Sequence, residues 1–222
     1  MIDIRTTKAS YSIDKRANKI VRLETGNYGN RNISFNIETP VDDSLTALIS
    51  GNLLQANGFS ATNPNQTFST DPTDFDNDKH KNETINLSFL KRLKNGSANL
   101  IYFKTDSETF FDNSFFVNNP KQNSDQEQIN FVYDLDFANG NSTQISFDSS
   151  KIKLRYNYGQ FFATKEDKVA FQNDIKLDDN SNLLLGVEKR SVSRNPSSSG
   201  INSRDFESVF IAYVSQRGPV AL

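Results

Sequence analysis

Apolar and polar positions alternate most clearly from Asn82 to Ser107, NETINLSFLKRLKNGSANLIYFKTDS. From Thr84 onward, Ile85, Leu87 and Phe89 fall on one side and Asn86 and Ser88 on the other, the period-2 signature of a strand with one apolar face. Asn95-Gly96 turns the chain, because this dipeptide accepts the positive φ angles of a tight hairpin turn, and Ala98 to Thr105 returns. The rule repeats along the chain. A short strand is predicted within Met1 to Lys8, then others from about Lys19 to Thr25, Asn32 to Thr39, Leu45 to Gln55 and Gln128 to Phe137. Further strands follow from Thr143 to about Tyr158, with Asp148 to Ser150 a candidate bulge, and over Lys168 to Leu177, Leu183 to Val192 and Asp205 to Gln216. Asn139-Gly140 is a second tight turn of the same kind, and Asp178 to Ser181 a third reversal.

This is an all-β pattern of about ten antiparallel meander strands of roughly 9 to 14 residues. Strands of this length match a tilted crossing of a hydrocarbon layer, but soluble sandwiches alternate as well. The connections separate the two. Every second one is short, while most of the others are long and polar, notably Ala56 to Lys81 and Asp106 to Asp125; Gly26 to Asn30 is the exception. Short turns at one end and long loops at the other are the habit of an up-and-down transmembrane β-barrel.

Composition agrees. Only 35% of residues are hydrophobic and the mean hydropathy is -0.62, low for a soluble core of this size. A partly disordered chain and a barrel with a polar lumen both fit those values, but Phe 18 and Tyr 7 favour the barrel, since disordered chains are poor in aromatics. Cys is 0, which excludes disulfides, thiolate zinc sites and cysteine nucleophiles. A net charge of -2 without a Lys/Arg run excludes the electrostatic footprint of a nucleic-acid binder. No apolar run approaches the ~20 residues of a membrane helix, and no signal peptide is visible.

Several segments resemble the TonB-dependent outer-membrane receptors, most closely the cobalamin (vitamin B-twelve) receptor type. Ile2-Asp3-Ile4-Arg5-Thr6-Thr7-Lys8 resembles the strand that closes that family's plug domain, and Glu24-Thr25-Gly26-Asn27-Tyr28-Gly29 its first barrel turn. Gly58 to Pro64 resembles the segment leaving the third barrel strand; Gln172 to Ile175 and Leu184 to Glu188 resemble the eighth and ninth. The resemblance implies that residues 1–18 are the plug end and linker and 19–222 the N-terminal part of the barrel. It implies a fragment of about ten of about twenty-two strands, an incomplete, curved sheet. No TonB box is present, and the chain ends in Val220-Ala221-Leu222 without a C-terminal aromatic. Function follows as an expectation: uptake of cobalamin or a similar scarce nutrient across the outer membrane of a Gram-negative bacterium, not catalysis. The implied partners are outer-membrane lipid, the TonB system and a small nutrient, with no nucleic acid. The alternative is a soluble all-β domain that binds carbohydrate or another surface ligand.

Candidate chemistry is confined to one acidic constellation. Asp71, Asp74, Asp76 and Asp78 fall in the first long loop, and carboxylates at alternate positions of an extended segment converge on one hard cation such as calcium. Cobalamin-type receptors order extracellular loops with calcium through a similar Asp-Asn-Asp segment, here Asp76-Asn77-Asp78, although Lys79 replaces the glycine expected next. A solvated acidic loop is the competing reading, and Asp112 and Asp125 are further candidate ligands. His80, the single histidine, has no nucleophile or carboxylate at a catalytic spacing and reads as a solvated loop residue. Asp134 and Asp136, on the face of Asn130, read as polar lumen wall. Phe110, Phe111, Phe115 and Phe116 read as ligand contacts or, preferably, as an aromatic girdle.

Overall fold

The computed structural model describes residues 17–58, 78–111, 120–196, 200 and 202–215. Ten strands follow one another: β1 (Asn18–Thr25), β2 (Arg31–Pro40), β3 (Leu45–Ala56), β4 (His80–Leu93), β5 (Gly96–Phe110), β6 (Lys121–Asp136), β7 (Ser142–Tyr156), β8 (Phe161–Asp178), β9 (Ser181–Pro196) and β10 (Asn202–Ser215). They form one antiparallel sheet in the order β1 to β10, each strand paired with its sequence neighbours. Among the described residues β1 and β10 do not pair with each other, so the sheet is not closed.

Register follows the alternation. Because side chains project to opposite faces at every step, the pairs Ile49↔Leu87, Phe89↔Leu100, Leu100↔Phe131, Phe131↔Phe147 and Phe147↔Val169 carry one apolar band across the sheet. Gly51 lies within this band opposite Phe35, whose ring occupies the space a Cβ would take, 2.5 Å away. Among the described residues the register is irregular once, between Lys176 and Asp178 in β8. The Asp148 to Ser150 stretch pairs evenly with Asn130, Ile129 and Gln128, so the bulge expected there does not exist.

Two further expectations change. The β4–β5 turn is made by Lys94 and Asn95, and among the described residues Tyr28 is the one non-glycine with positive φ; Gly96, at φ 132, begins the return strand. A Cβ there would stand 2.0 Å from the Asp134 carbonyl oxygen, so the glycine is required by close approach of β6. Second, half of the polar stretch from Asp106 to Asp125 is strand, since β5 runs to Phe110 and β6 starts at Lys121. Likewise β7 and β8 are joined by residues 157–160 only, so of the connections at that end just two, 57–79 and 111–120, are long.

Candidate functional site

The two faces of the sheet differ in a way opposite to a soluble protein. Ser88 is 0% exposed and Asn86 5%, whereas Ile85 is 40%, Phe89 39%, Ile129 38% and Phe131 37% exposed. The concave face is mostly polar, with Leu48, Ile101 and Phe103 buried on it against Ser88 and Asn86, while the convex face carries a band of exposed apolar side chains. Leaving an apolar side chain half in water forgoes roughly 1 kcal/mol, and roughly a dozen such residues forgo as much as the whole net stability of a domain, ~5–15 kcal/mol. Such a band needs an apolar surrounding. From Ile129 on β6 to Phe137, just past its end, it spans about 26 Å of chain, which at the ~40° tilt of barrel strands covers roughly 20 Å of height, close to the ~25 Å apolar band of outer-membrane barrels. Asn173, the polar interruption on this face, donates its amide to Thr143 Oγ1 on β7 at 3.1 Å.

Many polar groups of the concave wall are satisfied laterally. Asn82 donates to Thr105 (3.1 Å), Thr84 Oγ1 to Thr105 Oγ1 (3.0 Å) and Asn86 to Ser50 (3.4 Å), while Asn130 donates to Asp148, which also meets Lys168 at 3.2 Å. Asp134 accepts from Ser97 (3.2 Å) and Gln144 (2.8 Å), a wall contact rather than acid–base geometry. Above the apolar band the convex face turns charged, with Lys121 to Glu108 at 2.7 Å and Lys153 to Asp125 at 3.8 Å. A cleft of about 300 Å³ lies among these charges, yet they are largely paired with one another.

Of the acidic constellation, Asp71, Asp74 and Asp76 lie outside the described residues. Asp78 is described and stands at the mouth of the connection, where Gly58 (φ 65) packs so closely that a Cβ would lie 2.1 Å from the Asp78 carbonyl oxygen. Among the described residues no three His, Asp or Glu side chains are grouped to hold a metal ion. Asp112 lies outside the described residues, and Asp125 sits on β6, facing outward beside Lys153. His80 is a strand residue rather than a solvated loop residue: it opens β4, half-buried, with Nδ1 2.9 Å from Thr109 Oγ1. Phe110 is not part of a girdle continuous with the band, because Lys104, Asp106 and Glu108 separate it from Tyr102 on the same face, about 26 Å along the strand. Its ring instead faces the Lys121 ammonium at 5.5 Å. Phe115 and Phe116 lie outside the described residues.

One grouping escaped the sequence reading. Arg190, Arg194 and Arg204 share the concave face on β9 and β10, around a cleft of about 490 Å³ also lined by Val192 and Phe206. Its signal was the recurrence of arginine at even positions of two strands, visible only once Arg204 is known to pair with Val192.

No protein-family model matches the chain, and no curated protein matches it. Among solved structures it is similar to the alcaligin outer membrane receptor FauA from Bordetella pertussis, with a TM-score of 0.52 and 14% identity over 88% of this chain and 34% of that chain. It also aligns with the ferric yersiniabactin uptake receptor FyuA from Yersinia pestis, at a TM-score of 0.43 and 12% identity over 92% of this chain and 44% of that chain. The chain thus spans about a third of the length of FauA. Its ten-strand antiparallel meander is a portion of the all-β fold that this larger outer membrane receptor builds.

Proposed function

We propose that this chain forms part of the barrel wall of a TonB-dependent receptor that imports cobalamin or a similar scarce nutrient across the outer membrane of a Gram-negative bacterium. Residues 1–18 are read as the end of the plug and its linker, and 19–222 as barrel. The activity is transport, with outer-membrane lipid, the TonB system and a small nutrient as partners. One observation carries the reading: Ser88 is fully buried on the concave face while Ile85 and Phe89 beside it stand exposed on the convex face. A soluble domain with that arrangement would present its apolar band to water. The choice of cobalamin rests on the sequence resemblance alone.

Labels at Leu87 and Ser88 test it. In detergent or bilayer, a spin label at Leu87 is expected to be accessible to a lipid-soluble quencher and one at Ser88 to a water-soluble one. A more lipid-accessible Ser88, or a chain that stays in solution without detergent and shows no heat-dependent gel mobility, would exclude the barrel. A calcium site built from Asp71, Asp74, Asp76 and Asp78 is part of the proposal, supported by their spacing and by the close approach of Gly58 to Asp78, which draws the two ends of the connection together.

A further inference from the structure

We propose that Arg190, Arg194 and Arg204 form an anion-binding subsite on the lumen wall, suited to a small molecule rich in carboxylate or phosphate oxygens. This deepens the receptor reading and rests on it for the identification of the concave face as lumen. Arg204 stands directly opposite Val192 and therefore diagonal to both Arg190 and Arg194. Diagonal neighbours in an antiparallel pair are about 7–8 Å apart, within reach of long side chains converging on one ligand. Three planar, permanently charged guanidinium groups are thus gathered around one cleft, and guanidinium matches carboxylate and phosphate oxygens in pairs.

What singles out the patch is that, among the described residues, no ion pair compensates its charges. Lys168, opposite Arg190 on β8, is paired with Asp148 at 3.2 Å. By contrast, among the described residues no ion pair joins any of the three arginines to a carboxylate, although Glu166 lies across the ladder from Val192 and Glu188 two positions below Arg190. Arg190 is held in place by its own packing, its guanidinium carbon 4.7 Å from the centre of the Phe206 ring. Its Nε is buried and has no hydrogen-bond partner. An orphaned donor of this kind is costly, and an incoming oxygen relieves it.

Placement agrees with a ligand role. β9 rises from its turn at 179–180 toward the end of the sheet that carries the long connections 57–79 and 111–120, and the patch lies in the half of β9 nearest that end. The cleft volume, about 490 Å³, falls in the ~300–1,000 Å³ range of small-molecule sites.

The test is calorimetric titration of citrate, and separately of pyrophosphate, into the folded protein in detergent. At least one is expected to bind, citrate the tighter if the natural ligand is a carboxylate and pyrophosphate the tighter if it is a phosphate. Arg204→Gln is expected to weaken binding about tenfold, and the triple Arg→Gln variant to abolish it. Arg204→Lys, which keeps the charge without the fork, should fall between; Lys189→Gln, on the opposite face of the same strand, should bind as the unaltered protein does. No binding of either anion, undiminished binding by the triple variant, or an equal loss in Lys189→Gln overturns the proposal. Failure of the receptor reading registers separately, as a chain soluble without detergent, whatever the titration reads.

Discussion

At the scale of single residues, the polar groups outside the apolar band act as fasteners. Asp42, in the turn between β2 and β3, is the clearest: its Oδ1 accepts from the Ser44 amide (2.7 Å), the Ser44 hydroxyl (2.7 Å) and the Leu45 amide (2.8 Å), and its Oδ2 from Lys91 (3.3 Å). The Ser44 hydroxyl, then the Ser44 amide, hold its carboxyl well below the ordinary value of 3.8. A carboxyl depressed in the folded state adds stability above its unfolded pKa and loses that contribution as pH falls through the interval below about 3.8. Asp42→Ala is therefore expected to lower the thermal midpoint at neutral pH, and the gap from the unaltered protein to shrink as pH drops below about 4. Circular dichroism melts across that interval check this, and a gap that persists undiminished at about pH 2 would assign the effect to the turn's backbone alone. The same residue scale explains Asn173, which alternation left as an anomaly on the convex face and which the Thr143 hydroxyl satisfies.

At the scale of elements, what was legible depended on whether a strand had an apolar face to betray it. The segments Thr84–Phe89 and Gln128–Phe137 were readable, because one apolar and one polar face impose period 2. Their outward extensions were not. The segment Lys121 to Gln128, KQNSDQEQ, carries no apolar residue, yet it continues β6 because backbone pairing with β5 and ion pairs such as Lys121–Glu108 need no greasy face. Length misled at the second long connection for that reason. The arginine grouping was illegible for another, since it depends on which residues of β9 and β10 are opposite. The first long connection carries the calcium proposal. Asp71, Asp74, Asp76 and Asp78 place four like charges within eight residues, a spacing whose repulsion a cation relieves. Calcium is expected to bind weakly, at about 10⁻⁴ to 10⁻³ M, and to slow proteolysis between Thr70 and Lys81. Cleavage indifferent to millimolar calcium, or protection that survives replacing Asp76 and Asp78 together with Asn, leaves only a solvated acidic segment.

At the scale of the whole molecule, the sheet has two open edges, and β1 and β10 are exposed along nearly their entire length. Unpaired backbone groups there invite further strands. Amide hydrogen exchange is expected to be fast in the outward-facing amides of β1 and β10 and slow in β5 and β6, which are paired on both sides. A monodisperse species with both edges protected would mean that these ten strands close by themselves. The close approach of Gly58 to the Asp78 carbonyl bears on the length of the connection between them. With both ends of a connection fastened to the wall, doubling its length adds only about 0.6 kcal/mol of closure entropy. The register of β3 and β4 therefore tolerates changes in the length of the segment between Gly58 and Asp78 at little cost in stability.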